Sequence, residues 1–79
     1  MKKYIFTFGV GQKNKDHYQI IYAKDCDAAR ELMFKAYGNQ WSWQYDEKQW
    51  EVTLKNCPLM RDLTPLENVI MQEPVEEPF

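Results

Sequence analysis

One histidine, two cysteines and three glycines are all that 79 residues offer toward metal centres, nucleophile–base pairs and phosphate loops. A hydrolytic triad needs a base beside its nucleophile, and His17 has no serine near it in a matching pattern. A pair formed by His17 with Cys26 or Cys57 lacks any local nucleophile signature. The plainer expectation is one small buried thiol on a helix and another in a loop. The cysteines stand 31 positions apart with no Cys-x-x-Cys spacing, and one histidine cannot complete a zinc site. Two free thiols in an unexported chain are therefore expected. Gly9-Val10-Gly11 lacks the third glycine of a dinucleotide loop and the Gly-Lys-Ser/Thr ending of a P-loop. It opens a hairpin rather than a helix, so these glycines are expected to permit positive φ or a bulge. No apolar run reaches the roughly 18 residues of a membrane span. Met1-Lys2-Lys3 leads only into Tyr4-Ile5-Phe6-Thr7-Phe8, too short and polar for a signal-peptide core. The expectation is a chain that stays where it is made, with no membrane partner, no cofactor, no metal and no enzymatic activity.

What the sequence has instead is rings. Three Trp, five Tyr and four Phe make 15% of it. A chain this short forms one domain and buries only about 60–65% of its unfolded surface, but each buried ring removes about 150–250 Å² from water. The net charge of −2 is unevenly placed: residues 1–55 hold nine Lys/Arg against seven Asp/Glu, whereas residues 56–79 hold one Arg against five acids. So small a basic surplus is weak support for nucleic-acid binding.

Tyr4 to Val10 and His17 to Ala23 are rich in β-formers and flank a polar loop, Gly11 to Asp16, which predicts an antiparallel hairpin. Ala28 to Tyr37 contains neither glycine nor proline. Ala29, Leu32, Met33 and Ala36 recur at helical spacing, Asp25 or Asp27 is placed to cap, and Gly38 to terminate. Trp41 to Tyr45 alternates aromatic and polar, and Gln49 to Lys55 alternates again with Trp50, Val52 and Leu54 on one side; Asp46-Glu47-Lys48 reads as the turn between them. The acid pairs Asp25/Asp27 and Asp46/Glu47 read as caps and turn residues rather than metal ligands. Thr64-Pro65-Leu66-Glu67 carries the start signals of a short helix over about 65–71. The expected architecture is α+β: an antiparallel β-β-α-β-β core over residues 1–56, then a C-terminal segment, 57–79, with that helical turn and a mobile acidic tail.

Both sides of the first hairpin carry apolar groups: Tyr4, Phe6 and Phe8 alternate with Ile5 and Thr7, and Tyr18, Ile20 and Tyr22 with Gln19 and Ile21. One helix covers one face of a sheet. The other face is expected to lie under the C-terminal segment, through residues such as Leu66 and Ile70, or to stay exposed for recognition.

Tyr4-Ile5-Phe6-Thr7-Phe8-Gly9 with Gly11-Gln12, then Ala29-Arg30-Glu31-Leu32-Met33, Gly38 with Trp41, and Gln44-Tyr45-Asp46 resemble small proteins encoded by phages and prophages of Gram-positive bacteria. The resemblance covers residues 3–50. It implies an accessory role during infection in the cytoplasm of a bacterial host, such as inhibiting a defence of the CRISPR-nuclease kind, modulating host enzymes or binding nucleic acid, and it carries over no catalytic residue. The sequence thus predicts a stoichiometric binder of a bacterial host protein. Its contacts are placed on the loop residues Gln12, Lys13 and Lys15, on the rings of Trp41, Trp43, Tyr45 and Trp50, and on the acidic tail through Glu73, Glu76 and Glu77. The alternatives are a single-stranded nucleic-acid binder that stacks bases beside Lys13, Lys15, Lys48 and Lys55, and a small-molecule (nucleotide) sponge. An aromatic edge strand is also a ready seam for a homodimer.

Overall fold

A computed structural model of the chain describes residues 1–72. The expected tail, with Glu73, Glu76 and Glu77, lies outside them. Strands β1 (Lys2–Thr7) and β2 (His17–Ala23) pair antiparallel, with Tyr4 opposite Ile21 and Phe6 opposite Gln19. Helix α1 (Cys26–Tyr37) follows, then strand β3 (Trp43–Asp46), which pairs antiparallel with the other side of β1. Helix α2 (Glu47–Asn56) and a 3-10 turn (Pro58–Asp62) lead to two minimal strands, β4 (Thr64–Pro65) and β5 (Ile70–Met71), both parallel to β2. The sheet order is β3-β1-β2, with β4 and β5 along the outer edge of β2. The fold is thus mixed α+β, with five strands in one sheet and two α-helices among the described residues.

The alternation of β1 and β2 sends two apolar sets to opposite faces. On one face Tyr4, Phe6, Ile21 and Ala23 pack with Ala28, Ala29 and Met33 of α1, and Phe6, Ile21, Ala29 and Met33 are fully buried. The small residues Ala28 and Ala29 of α1 leave room for the sheet's rings. Asp25 caps the helix by accepting from Ala28 N at 2.8 Å. Gly38, at φ 62°, ends it and donates to Phe34 O at 2.8 Å. Ala36, placed on the apolar stripe by its spacing, is exposed.

The opposite face carries Ile5, Ile20, Tyr18 and Tyr45, and here the structure corrects the expected order. Residues 49–55 are not a fourth strand of a β-β-α-β-β core; they form α2, which covers this second face. The cause is local. Asp46 Oδ1 accepts from Gln49 N at 2.7 Å, and Gln49 Oε1 accepts from Asp46 N at 3.0 Å. This reciprocal capping box satisfies backbone donors at a helix start and is typically worth about 1 kcal/mol. At helical spacing Trp50, Thr53, Leu54 and Cys57 share the inward side, and Val52 turns out to solvent. Arg61 closes the other end by donating from Nε to Leu54 O at 2.7 Å.

A second correction concerns residues 65–71, where Thr64-Pro65-x-Glu67 predicted a helix. Six or seven residues make a marginal helix on their own, whereas the open edge of β2 offers unpaired backbone groups. Leu66 N donates to Tyr18 O and Gln72 N to Tyr22 O, both at 2.8 Å. Leu66 and Ile70 then pack against the α1-side core. The C-terminal segment seals that side, and Ile5 lies beneath α2 instead.

Candidate functional site

Packing decides which of the sequence-singled rings remain available. Trp50 is buried, its ring centroid 5.1 Å from Tyr18 and 5.3 Å from Tyr45. Tyr45 is half-buried in that cluster. Trp41 is half-buried against Phe6 and Phe34, with Nε1 donating to Gly38 O at 3.0 Å. Trp43 alone stays open, at 62% exposure. Trp50 is therefore a core residue rather than a contact, a correction that follows from the helix over 47–56, whereas Trp41 packs at the margin of the core and stays partly accessible.

The loop separates in the same way. Gln12 folds inward: its Oε1 accepts from Gly9 N and from Ser42 Oγ, tying the hairpin loop to the start of β3. A Cβ on Gly9 would crowd Ser42 Oγ, which would have to turn away from Gln12 Oε1, while Gly11 supplies the positive φ, 90°. Lys13 and Lys15 are exposed.

What the structure brings together is a groove of about 460 Å³ between β3 and α2, lined by Trp43, Tyr45, Lys48, Val52 and Thr53 among others. Trp43 and Val52, at 62% and 51% exposure, form its apolar rims. β3 pairs only with β1, so its outer edge meets no strand among the described residues. Sequence reasoning named Trp43 and Tyr45 but missed Val52 and Thr53, because alternation aimed Val52 inward. The capping pattern Asp46-x-x-Gln49 was the signal that would have placed them.

The remaining polar chemistry is structural. His17 Nδ1 lies 2.8 Å from Thr64 Oγ1 and ties β4 to β2. Cys26 and Cys57 are free thiols, exposed and half-buried respectively. Among the described residues no group of three His, Cys, Asp or Glu is placed to hold a metal ion, and no helix is long and apolar enough to cross a membrane. Burial raises the hydroxyls of Tyr4, Tyr37 and Tyr45 above their ordinary value of 10.0, with Cys26, Asp25 and Asp46 adding to Tyr4 and Cys57 to Tyr45. The folded chain then keeps phenolic protons that the unfolded chain releases near pH 10.0. The stability from these groups is full below that pH and falls as pH rises through the raised folded values. Urea midpoints should therefore drop on the alkaline side, and Tyr45→Phe should blunt the drop.

Comparisons with protein-family models, with characterised proteins and with solved structures find no match. The chain is placed by its own geometry: a small mixed α+β sheet protein with one unpaired edge strand beside an apolar groove.

Proposed function

We propose that this protein acts by stoichiometric, non-enzymatic binding of a bacterial host protein, with β3 and the Trp43–Val52 groove as its contact surface. One observation carries the reading: an exposed tryptophan on an unpaired strand edge, beside a groove rimmed by a second exposed apolar residue. Tryptophan dominates binding energy at protein interfaces when a partner buries it, and an open edge supplies backbone donors and acceptors for strand addition. Lys13 and Lys15 are exposed in the loop that Gln12 ties to the start of β3 and add positive charge to this side of the molecule. The resemblance of residues 3–50 to phage and prophage proteins supports the finer reading, inhibition of a bacterial defence protein of the CRISPR-nuclease kind. The nucleic-acid alternative is less well supported, because α2 covers the sheet face whose rings would stack bases and leaves only Trp43 open.

The test is co-precipitation from a bacterial host lysate, paired with a plasmid-interference assay in a CRISPR-active strain. Wild-type protein should recover one host protein near equal stoichiometry and restore transformation. Trp43→Ala should weaken capture roughly 30-fold or more, as expected for an interface anchor worth about 2 kcal/mol, with folded stability changed by less than about 0.5 kcal/mol. Equal capture by wild type and variant would refute the surface assignment, and recovery of no host protein would refute the function.

A further inference from the structure

The open edge of β3 presents one unpaired backbone unit, and hydrogen bonds on the far side of the sheet identify it. Leu66 N and Gln72 N donate to Tyr18 O and Tyr22 O, so the even-numbered residues of β2 direct their backbone groups toward β4 and β5. Alternation then turns Gln19 and Ile21 toward Phe6 and Tyr4 of β1, and leaves Ile5 and Thr7 to face β3. Tyr45 and Trp43, opposite Ile5 and Thr7, are thereby held by β1, whereas the backbone groups of Gln44 and Asp46 face outward. Asp46 is already used: its N–H donates to Gln49 Oε1, and as the N-cap its C=O begins the α2 ladder. The N–H and C=O of Gln44 meet no partner among the described residues.

The two faces beside Gln44 differ in chemistry. On the α1 face the Gln44 side chain accepts through Oε1 from Arg30 Nε at 3.2 Å. Arg30 is exposed, and its two terminal guanidinium nitrogens donate to no carboxylate among the described residues. On the α2 face Trp43 and Tyr45 stand beside Val52 over the groove of about 460 Å³. The one carboxylate in that groove's lining, Asp46, is engaged in capping α2 by accepting from Gln49 N.

We infer that β3 takes an extended peptide segment of the pattern apolar–acidic–apolar; this rests on the reading of the β3 edge and its groove as the contact surface. One residue of an antiparallel newcomer exchanges both backbone bonds with Gln44. Directly opposed residues share a face, so the side chain of that residue lies on the α1 side beside Arg30. A carboxylate there meets the terminal nitrogens of the guanidinium, whose planar fork matches carboxylate oxygens. Its two neighbours fall on the α2 side, opposite Trp43 and Tyr45, where the groove receives apolar side chains. Two backbone bonds are few for strand addition, so the side chains on the two faces set the selectivity.

Titration of the full chain with a capped peptide, Thr-Thr-Val-Glu-Val-Thr-Thr, tests this beside versions carrying glutamine or lysine in place of the glutamate. Binding is read from the Trp43 indole resonance and from hydrogen exchange at Gln44 N. The glutamate peptide should shift the indole, slow that exchange, and bind about fivefold more tightly than the glutamine peptide, the upper range for an exposed ion pair. The lysine peptide should bind more weakly still. Arg30→Glu, an exposed substitution, should keep the wild-type amide spectrum outside the edge and invert the order, favouring lysine. Equal binding of the three peptides, an order unchanged by Arg30→Glu, or no response to any of them overturns the inference. Protection of Gln44 N that rises with protein concentration alone assigns the edge to a second copy and also overturns it. Host-protein capture separates the two readings. Capture lost in Trp43→Ala without peptide selectivity removes the acidic pattern but keeps the contact surface, whereas capture indifferent to Trp43→Ala removes both.

Discussion

Trp50→Ala should cost about 3–5 kcal/mol, the range for removing a large buried aromatic from a core. Trp50 is the only buried residue of α2, at 8% exposure, and its ring packs against Tyr18 and Tyr45. A domain below about 80 residues draws only about 3–5 kcal/mol from its core, so the variant should be largely unfolded at room temperature. Circular dichroism melts and urea titration would show this directly. Val52→Ala provides the contrast, because Val52 is 51% exposed and its truncation should shift stability by less than about 0.5 kcal/mol. A strand over residues 49–55 would put both side chains on one face and make them comparably costly. Equal effects would therefore contradict α2 as the cover of the second face.

Gln19→Met should cost about 2–6 kcal/mol for a different reason. Gln19 is fully buried, and its side chain joins three parts of the chain. Nε2 donates to Ile20 O at 3.0 Å and also to Asn68 O, while Oε1 accepts from Tyr37 Oη at 2.6 Å. Methionine fills the space but leaves the Tyr37 hydroxyl and the Asn68 carbonyl without that partner, at about 1–3 kcal/mol for each unsatisfied group. Hydrogen exchange should register the loss first at Leu66 N and Gln72 N, the amides that dock β4 and β5 onto β2. Uniform acceleration across all amides, with no early release of those two, would show that Gln19 does not specifically retain the C-terminal strands.

The first hairpin and α1 were legible because several local signals agree there: alternation over β1 and β2, a glycine-bearing loop, Asp25 and Gly38 at the helix ends. Residues 49–55 were misread because Trp50, Val52 and Leu54 fit a period of two, while Trp50, Thr53, Leu54 and Cys57 fit a period near 3.6. Over seven residues the two patterns compete, and the capping box at Asp46–Gln49 decides between them. Residues 64–71 failed the opposite way. A correct local start signal was overridden by the free edge of β2, a partner 47 residues away in the His17–Thr64 contact and invisible to local pattern. The groove inherited the first error: Trp43 and Tyr45 were named, but the wall opposite them belongs to a helix that alternation had unwound.

The two sides of the sheet have different capacities for growth. On the β2 side, β4 and β5 are two residues each, separated in sequence and parallel to their neighbour, so they offer a newcomer little continuous backbone. On the β3 side one continuous four-residue strand meets no strand but β1 among the described residues, although Asp46 N is already taken by Gln49 Oε1. A molecule with one usable edge can join one other strand and then has none left to extend the array. Among the described residues, association through the β3 edge therefore favours a pair, with a target and a second copy competing for the same place.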